Sequence, residues 1–304
     1  MFFRRKKARV PADESPRPPA AAPVTVEPPL QEEPLSRTVA PPAPGAAAGL
    51  PRRRISYRVA NLQGLGRRER QEDAFAFINA MDVTEMRRNG LLAVVADGMG
   101  GMRDGKLASE TVLGSLRADF PNLDRSGALP EQLCQCVRRA GERVFAALEG
   151  EGGSTVVACL FFDEALFYVS VGDSFLYLLR DGQLLRVNRE HNLLHERFLE
   201  TVRAGSMDPE PARADPEAAA LSQFLGMPVL EEPDFLRRPL RLHHDDRFLI
   251  CSDGVAGVLT EETLREALEA PAPEAACAAL DAAVQARDEP FQDNYTALVV
   301  FCGY

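Results

Sequence analysis

Nine short apolar runs broken by turn signals set the main constraint on this chain: ISYRVAN, DAFAFIN, LLAVVAD, STVVACLFF, ALFYVSVG, SFLYLLR, QLLRVN, DRFLICSD and NYTALVVF. They are rich in β-branched and aromatic residues and have the length of strands rather than helices. Asp181-Gly182, between the sixth and seventh runs, marks a tight hairpin. Helices are expected over Lys106 to Phe120, Pro130 to Leu148, Glu261 to Leu268 and Pro273 to Ala286. In the first, Leu107, Val112, Leu113, Leu116 and Phe120 give a helical stripe. Strand runs grouped apart from helix pairs predict an α+β protein whose antiparallel sheets carry helices on their outer faces. No internal repeat is evident.

The 304 residues are 45% hydrophobic and 26% charged, enough for a sizeable core. Net charge is −10 and the pI is about 5.1, which argues against a nucleic-acid footprint and disfavours acidic partners but not cations. The six cysteines lie in or near apolar runs such as VVACLFF and RFLIC, and no pair has C-x-x-C spacing. They read as small buried hydrophobes in a reducing compartment, not as a disulfide framework or a thiolate zinc site. No run approaches the length of a membrane span, and the expected location is the cytoplasm.

Residues 1–54 hold 12 of the 23 prolines together with Ala-rich tracts. Such a segment buries too little apolar surface to offset its ordering entropy, so it is expected to be a disordered arm ahead of a domain at 55–304. Five basic residues follow Phe2 and Phe3 within the first nine positions. The favoured reading is a solvated tail, with contact to an anionic membrane surface or another protein as the alternative.

Three apolar runs end alike, in Asp97-Gly98, Gly172-Asp173 and Asp253-Gly254. Asp293 immediately precedes the last run, and Glu72-Asp73 opens DAFAFIN. One Asp-Gly is an ordinary turn; five such carboxylate positions ask for more. If these ends converge, the charges repel and their pKa values rise unless a cation sits among them. An all-oxygen set suits Mg²⁺ or Mn²⁺ rather than zinc. Two such ions about 3.5 to 4 Å apart can activate a water and stabilise in-line displacement at phosphorus. Gly98, lacking a side chain, lets its carbonyl come close to a metal.

The set RRERQEDAF, VVADGMGG, VSVGDS, LICSDGV and DNYTALVV, in this order, resembles the metal-dependent protein phosphatase family, also called protein phosphatase 2C, especially its bacterial branch. The match runs from about Tyr57 to Phe301, and LSQFLG (221–226) adds to it. The resemblance implies an αββα sandwich with two central antiparallel sheets and a binuclear Mn²⁺/Mg²⁺ site at one end. It implies that Asp97 bridges both metals, that the Gly98 carbonyl binds one, and that Asp253 and Asp293 complete the first metal's shell. Glu72 would serve the second metal, mostly through water, with Asp73 supporting that shell, and Asp173 would hold a third, weaker ion. Arg68 matches the arginine that grips substrate phosphate, a task its planar fork suits. The implied activity is hydrolysis of phosphoserine and phosphothreonine in proteins phosphorylated by a Ser/Thr kinase. Three positions depart from the pattern: Met99 where many eukaryotic members have His, Gln71 for a common Asn, and Met102 where bacterial members often have His.

Rival readings are weaker. GGMRDGK (100–106) matches half of a P-loop, but Leu107 stands where Ser or Thr must hold Mg²⁺, and Asp104 would put negative charge in a phosphate cradle. No Gly follows at Arg103 for a dinucleotide fingerprint, and neither a Cys with Arg six residues on nor a G-x-S-x-G elbow is present. Ser174 reads as a turn residue. His191 and His195 are spaced i, i+4 without the zinc-protease Glu and read as surface or loop residues, and His243-His244 as a solvated turn. Cys251, two residues before Asp253, is expected to be buried beside the site. The functional alternative is a non-catalytic phosphoprotein-binding or scaffold module of the same fold. Substrate choice is expected to lie between Asn188 and Arg238, where Pro, Gly and charged residues cluster.

Overall fold

A computed structural model describes residues 54–99 and 104–304. The expected arm, but for Arg54, and Met102 lie outside the described residues. In chain order the elements are β1 (Ser56–Gly64), β2 (Asp73–Ile78), α1 (Val83–Asn89), β3 (Leu91–Asp97), α2 (Gly105–Asp119), α3 (Leu129–Leu148), β4 (Val156–Phe162), β5 (Ala165–Val171), β6 (Phe175–Arg180) and β7 (Gln183–Arg186). They continue with α4 (Leu193–Arg203), α5 (Glu210–Arg213), β8 (Asp234–Phe235), β9 (Leu240–Arg241), β10 (Arg247–Cys251), α6 (Asp253–Ala256), α7 (Glu261–Leu268), α8 (Pro273–Arg287) and β11 (Tyr295–Gly303).

The strands form two antiparallel sheets. One has the order β1-β11-β10-β6-β7; the other runs β2-β3-β4-β5-β8, with β9 also on β5. Alternation along β3 explains why its sequence is an unbroken apolar run, since both faces are covered. Leu91, Ala93 and Val95 enter a core between the two sheets with Phe161, Phe248, Ile250 and Leu298. Leu92, Val94 and Ala96 face the opposite way, into a core shared with α2 and α3. On the far side, Leu249, Val299 and Phe301 of the first sheet pack with Leu264, Leu268, Leu280 and Val284 of α7 and α8. The layers are therefore helix, sheet, sheet, helix, which is the αββα sandwich expected.

Helix α3 shows how the pattern is realised. Leu133, Val137, Ala140, Val144 and Leu148 recur every three or four residues and are buried. Helix α7 starts at an N-cap, where the Thr260 hydroxyl accepts from the Thr263 N–H. The Asp181-Gly182 hairpin joins β6 and β7 with both residues at positive φ, as the turn requires. All six cysteines are free and buried.

Candidate active site

The site lies at the strand ends that carry the carboxylates. Asp73 opens β2, Asp97 closes β3, and the antiparallel register sets the two directly opposite each other. From the other sheet, β10 runs into Ser252 and then Asp253, the first residue of α6, while Asp293 stands two residues ahead of β11. Ser252 joins the sheets: its Oγ donates to Asp73 Oδ2 at 2.8 Å and accepts from the Thr296 N–H at 3.0 Å. Asp173 follows β5.

Polar residues that sequence reasoning passed over hold these ends in place. Thr155 Oγ1 accepts from the Asp97 N–H at 3.1 Å and shares a 2.7 Å hydrogen bond with Ser174 Oγ, tying the end of β3 to the turn that carries Asp173. Ser174, expected as a plain turn residue, is buried in this link. Asn294 donates to the Leu65 carbonyl at 2.9 Å, accepts from the Glu72 N–H at 2.8 Å, and gives its own N–H to Asp293 Oδ1 at 2.7 Å. Gln71, at the position where Asn is common, bridges locally: its Nε2 donates to the Gly64 carbonyl and its Oε1 accepts from the Asp73 N–H. The only sequence signal for this network was the presence of polar residues inside or beside apolar runs.

Glycine is required at two of the ends. A Cβ on Gly98 would stand 2.0 Å from the Gly105 carbonyl oxygen and 2.7 Å from that of Glu72. Gly98 thus lets the end of β3 pass against the start of α2, while its N–H donates to the Glu72 carbonyl at 3.2 Å. Gly254 does the same for α6, since a Cβ there would stand 2.0 Å from the Asn294 carbonyl oxygen.

Electrostatics mark the cluster. Burial pushes Asp97 well above the usual carboxylate range, and the charges of Asp73, Asp253, Asp173 and Asp293 add to it. Burial raises Asp73 to about 6, with the Thr296 and Ser252 hydroxyls pulling it partly back and Asp253 adding to the rise. Asp173 is pushed up to about 7, first by burial and then by Asp253. Asp253 is raised by burial and by Asp293, against a smaller opposing pull from Arg68. Four aspartates, Asp73, Asp97, Asp173 and Asp253, are therefore raised together, in the pattern of buried like charges that lack sufficient counter-charge.

The other expected site residues are placed as follows. Arg68 Nη2 is 2.6 Å from Asp293 Oδ2, with both side chains about half exposed. Glu72 enters through its main chain, its carbonyl accepting from Gly98 and from Ser109 Oγ. Among the described residues no three His, Cys, Asp or Glu side chains stand as a ready-made metal cage. The donor set nonetheless fits a hard divalent cation: it is all oxygen, and Asp73 Oδ1 is buried with no hydrogen-bond partner.

Several rival readings end here. Asp104 caps α2 with its own carboxylate, accepting from the Leu107 N–H, so the helix start offers no anion site of the P-loop kind. Burial raises the Cys251 thiol far above its ordinary value, which leaves it an inert core group. His191 is not on the surface: it is buried ahead of α4, its Nε2 bonded to the Glu232 carbonyl at 2.8 Å and its main chain and ring to Gly172. His243 and His244 are exposed in a turn, as expected.

A family profile described as Protein phosphatase 2C matches residues 66–285, which contain every carboxylate named above except Asp293. The chain belongs to the protein phosphatase 2C family. It is 35% identical over 187 residues to the serine/threonine protein phosphatase PstP of Mycobacterium tuberculosis, a match covering 59% of this chain and only 34% of that relative's length. The crystal structure of the PPM Ser-Thr phosphatase MsPP from Mycobacterium smegmatis, in complex with cacodylate, superposes with a TM-score of 0.64 at 30% identity, covering 80% of this chain and 97% of MsPP. The catalytic domain of PstP in complex with two manganese ions gives a TM-score of 0.65 at 28% identity, covering 83% and 100% of the two chains. This protein phosphatase 2C relative thus shares its fold with a two-manganese structure. Among the described residues no helix is long and apolar enough to cross a membrane.

Proposed function

We propose that residues 55–304 form a Mn²⁺- or Mg²⁺-dependent phosphatase domain that hydrolyses phosphoserine and phosphothreonine in proteins, behind an N-terminal arm at 1–54. The observation that carries this reading is the meeting of Asp73, Asp97, Asp173, Asp253 and Asp293 at one end of the sandwich, each of the first four held above its ordinary pKa mainly by burial. The manganese-bound relative and the serine/threonine phosphatases among the similar proteins support it.

In this reading Asp97, the Gly98 carbonyl, Asp253 and Asp293 would hold one ion. Asp97 and Glu72 would serve a second, with Asp73 behind them, and Asp173 would take a third, weaker one. When bound, the ions supply Lewis-acid stabilisation and an activated water for in-line attack at phosphorus. The chain's own residues orient and neutralise. Arg68, now paired with Asp293, would turn its planar fork to the equatorial oxygens of the phosphoryl group, leaving the Asp293 carboxylate as one of the residues that would hold a cation. Ser252 holds the Asp73 carboxylate by a hydrogen bond, and Thr155 fixes the backbone of Asp97. Met99 offers no proton, so the residue that follows Asp97-Gly98 does not protonate the leaving oxygen. The free buried cysteines suit a reducing, cytoplasmic setting.

Hydrolysis of p-nitrophenyl phosphate and of a phosphothreonine peptide, with Mn²⁺, with EDTA and with Asp253→Asn, tests the proposal. Turnover only in the first condition is expected. Equal rates in all three would remove the metal mechanism, and tight phosphopeptide binding without turnover would favour a non-catalytic module.

A further inference from the structure

The turn ahead of β11 holds an aromatic ring in solvent beside the candidate site. Phe291 is 93% exposed, and among the described residues it joins none of the three apolar cores and stacks on no other ring. Scattered exposed apolar residues are ordinary, so exposure alone implies nothing. Two further observations set this ring apart.

The first is that its backbone is fixed. Glu289-Pro290-Phe291-Gln292 is a turn closed by the Gln292 N–H on the Glu289 carbonyl at 3.2 Å, with Pro290 setting its first corner. Gln292, next in the chain, is buried and clamped: its carbonyl accepts from the Arg67 N–H at 2.8 Å, and its Nε2 donates to the Gly254 carbonyl at 2.9 Å. Gly66 packs so closely on the same stretch that a Cβ there would stand 2.5 Å from the Gln292 carbonyl oxygen. The segment that carries Phe291 is therefore held by the β1–β2 loop and by α6. A ring on a fixed backbone costs less entropy to cover than one on a loose loop.

The second is where it stands. Phe291 lies two residues ahead of Asp293 and lines one cavity of about 360 Å³ with Val258, Asp253 and Asp293. The cavity thus has a carboxylate end, at residues matched above to a cation, and an apolar end made by Phe291 and Val258. Arg68, matched to substrate phosphate, pairs with Asp293 at 2.6 Å. A phosphorylated residue seated between Arg68 and these carboxylates brings its chain neighbours to the apolar end.

We propose that Phe291 is a specificity-determining residue, which receives an apolar side chain of the phosphoprotein substrate close to the phosphorylated residue. It has that role only if the domain is a phosphoprotein phosphatase, so the inference rests on the reading above. The driving force is removal of two apolar surfaces from water, and such a preference is insensitive to salt, unlike one read by charge.

The test uses the full chain and phosphothreonine peptides that differ only in carrying leucine or its near-isostere asparagine at one flanking position, scanned on both sides. Hydrolysis is measured with Mn²⁺. Binding of labelled peptides bearing a non-hydrolysable phosphonate is measured separately by anisotropy. A leucine preference of about five- to tenfold is expected at one position, unchanged by added salt. In Phe291→Ser it should vanish and in Phe291→Leu it should largely remain, with both unfolding midpoints within a few degrees of the parent because the ring supports no core. If p-nitrophenyl phosphate is turned over but neither kcat/KM nor anisotropy distinguishes the peptides, the assignment is overturned and the phosphatase reading stands. If nothing is hydrolysed yet anisotropy shows a leucine preference that Phe291→Ser loses, the ring grips apolar peptide and the phosphatase reading fails. With neither hydrolysis nor preference, both fall. A preference that survives in Phe291→Ser overturns the assignment, and so does light scattering that shows the parent, but not this variant, pairing with a second copy.

Discussion

Arg68 Nη2 and Asp293 Oδ2 lie 2.6 Å apart, so the side chain matched to phosphate binding and one matched to metal binding neutralise each other before either ligand arrives. Both are about half exposed, and an ion pair in that setting contributes only about 0.2–1 kcal/mol. The pair is therefore easily exchanged. Arg68→Ala is expected to change the unfolding midpoint by no more than a few degrees while raising KM for phosphopeptide about tenfold or more. Calorimetric titration should show Mn²⁺ binding undiminished in this variant. A KM equal to that of the parent would remove Arg68 from phosphate binding.

The aspartate cluster makes the metal-free protein sensitive to pH in a defined direction. Asp73 and Asp173 have folded-state values of about 6 and about 7, above the ordinary carboxylate value they regain on unfolding. Between those limits the folded protein holds more protons than the unfolded chain, so stability falls as pH rises from about 4 to about 7. Thermal melts in EDTA should show a higher midpoint at pH 5 than at pH 8, and saturating Mn²⁺ should raise the pH 8 midpoint the more. A metal-free midpoint that rises over this range would contradict the arrangement.

Removing one charge should separate stability from activity. Asp97→Asn keeps the shape while relieving repulsion with Asp73, Asp253, Asp173 and Asp293. In EDTA at pH 8 this variant is expected to melt at a higher temperature than the parent, and with Mn²⁺ its activity is expected to fall at least about a hundredfold. Differential scanning calorimetry beside initial rates reads both. A lower midpoint in EDTA would show that Asp97 carries no unrelieved charge.

Gly98→Ala places a methyl 2.0 Å from a carbonyl oxygen of α2's first turn, and backbone on both sides must yield. Urea unfolding is expected to show a loss of about 1–3 kcal/mol. Gly114→Ala, where a Cβ meets nothing within 4 Å in helix α2, should instead be neutral or slightly stabilising. Similar losses in the two variants would mean that the contact between Gly98 and Gly105 is not tight.

Much of the fold was legible because each strand carries its own boundaries. The LLAVVAD run is buried on both faces and ends at the charge that leaves the core, so its length could be read directly. Helices α3 and α7 announced themselves by periodicity. Helix α1 did not, being short and largely exposed, with Asp82 as its N-cap the only mark. Helix α4 fell in a stretch read only as variable, because Pro, Gly and charged residues crowd around it and none of its residues is fully buried. The two-residue strands β8 and β9 had no pattern long enough to see. The carboxylates of the site were found because each sits beside a glycine or opens a strand. The residues that fix them, Thr155, Ser252 and Asn294, act on partners 58, 179 and 222 or more positions away, and sequence spacing carries no record of such pairings. His191 stands in a loop, one of the two places read for it, but its burial was not legible for the same reason, since it comes from Gly172 and Glu232 closing over it.

The contact of Ser252 with Asp73 joins two sheets whose facing surfaces meet mainly through greasy side chains. Sliding one leaf of the sandwich over the other by a single residue would break this polar rivet and scatter the aspartates in the same movement. A partly opened molecule of this kind could therefore keep most of its secondary structure and yet have nothing left with which to grasp an ion.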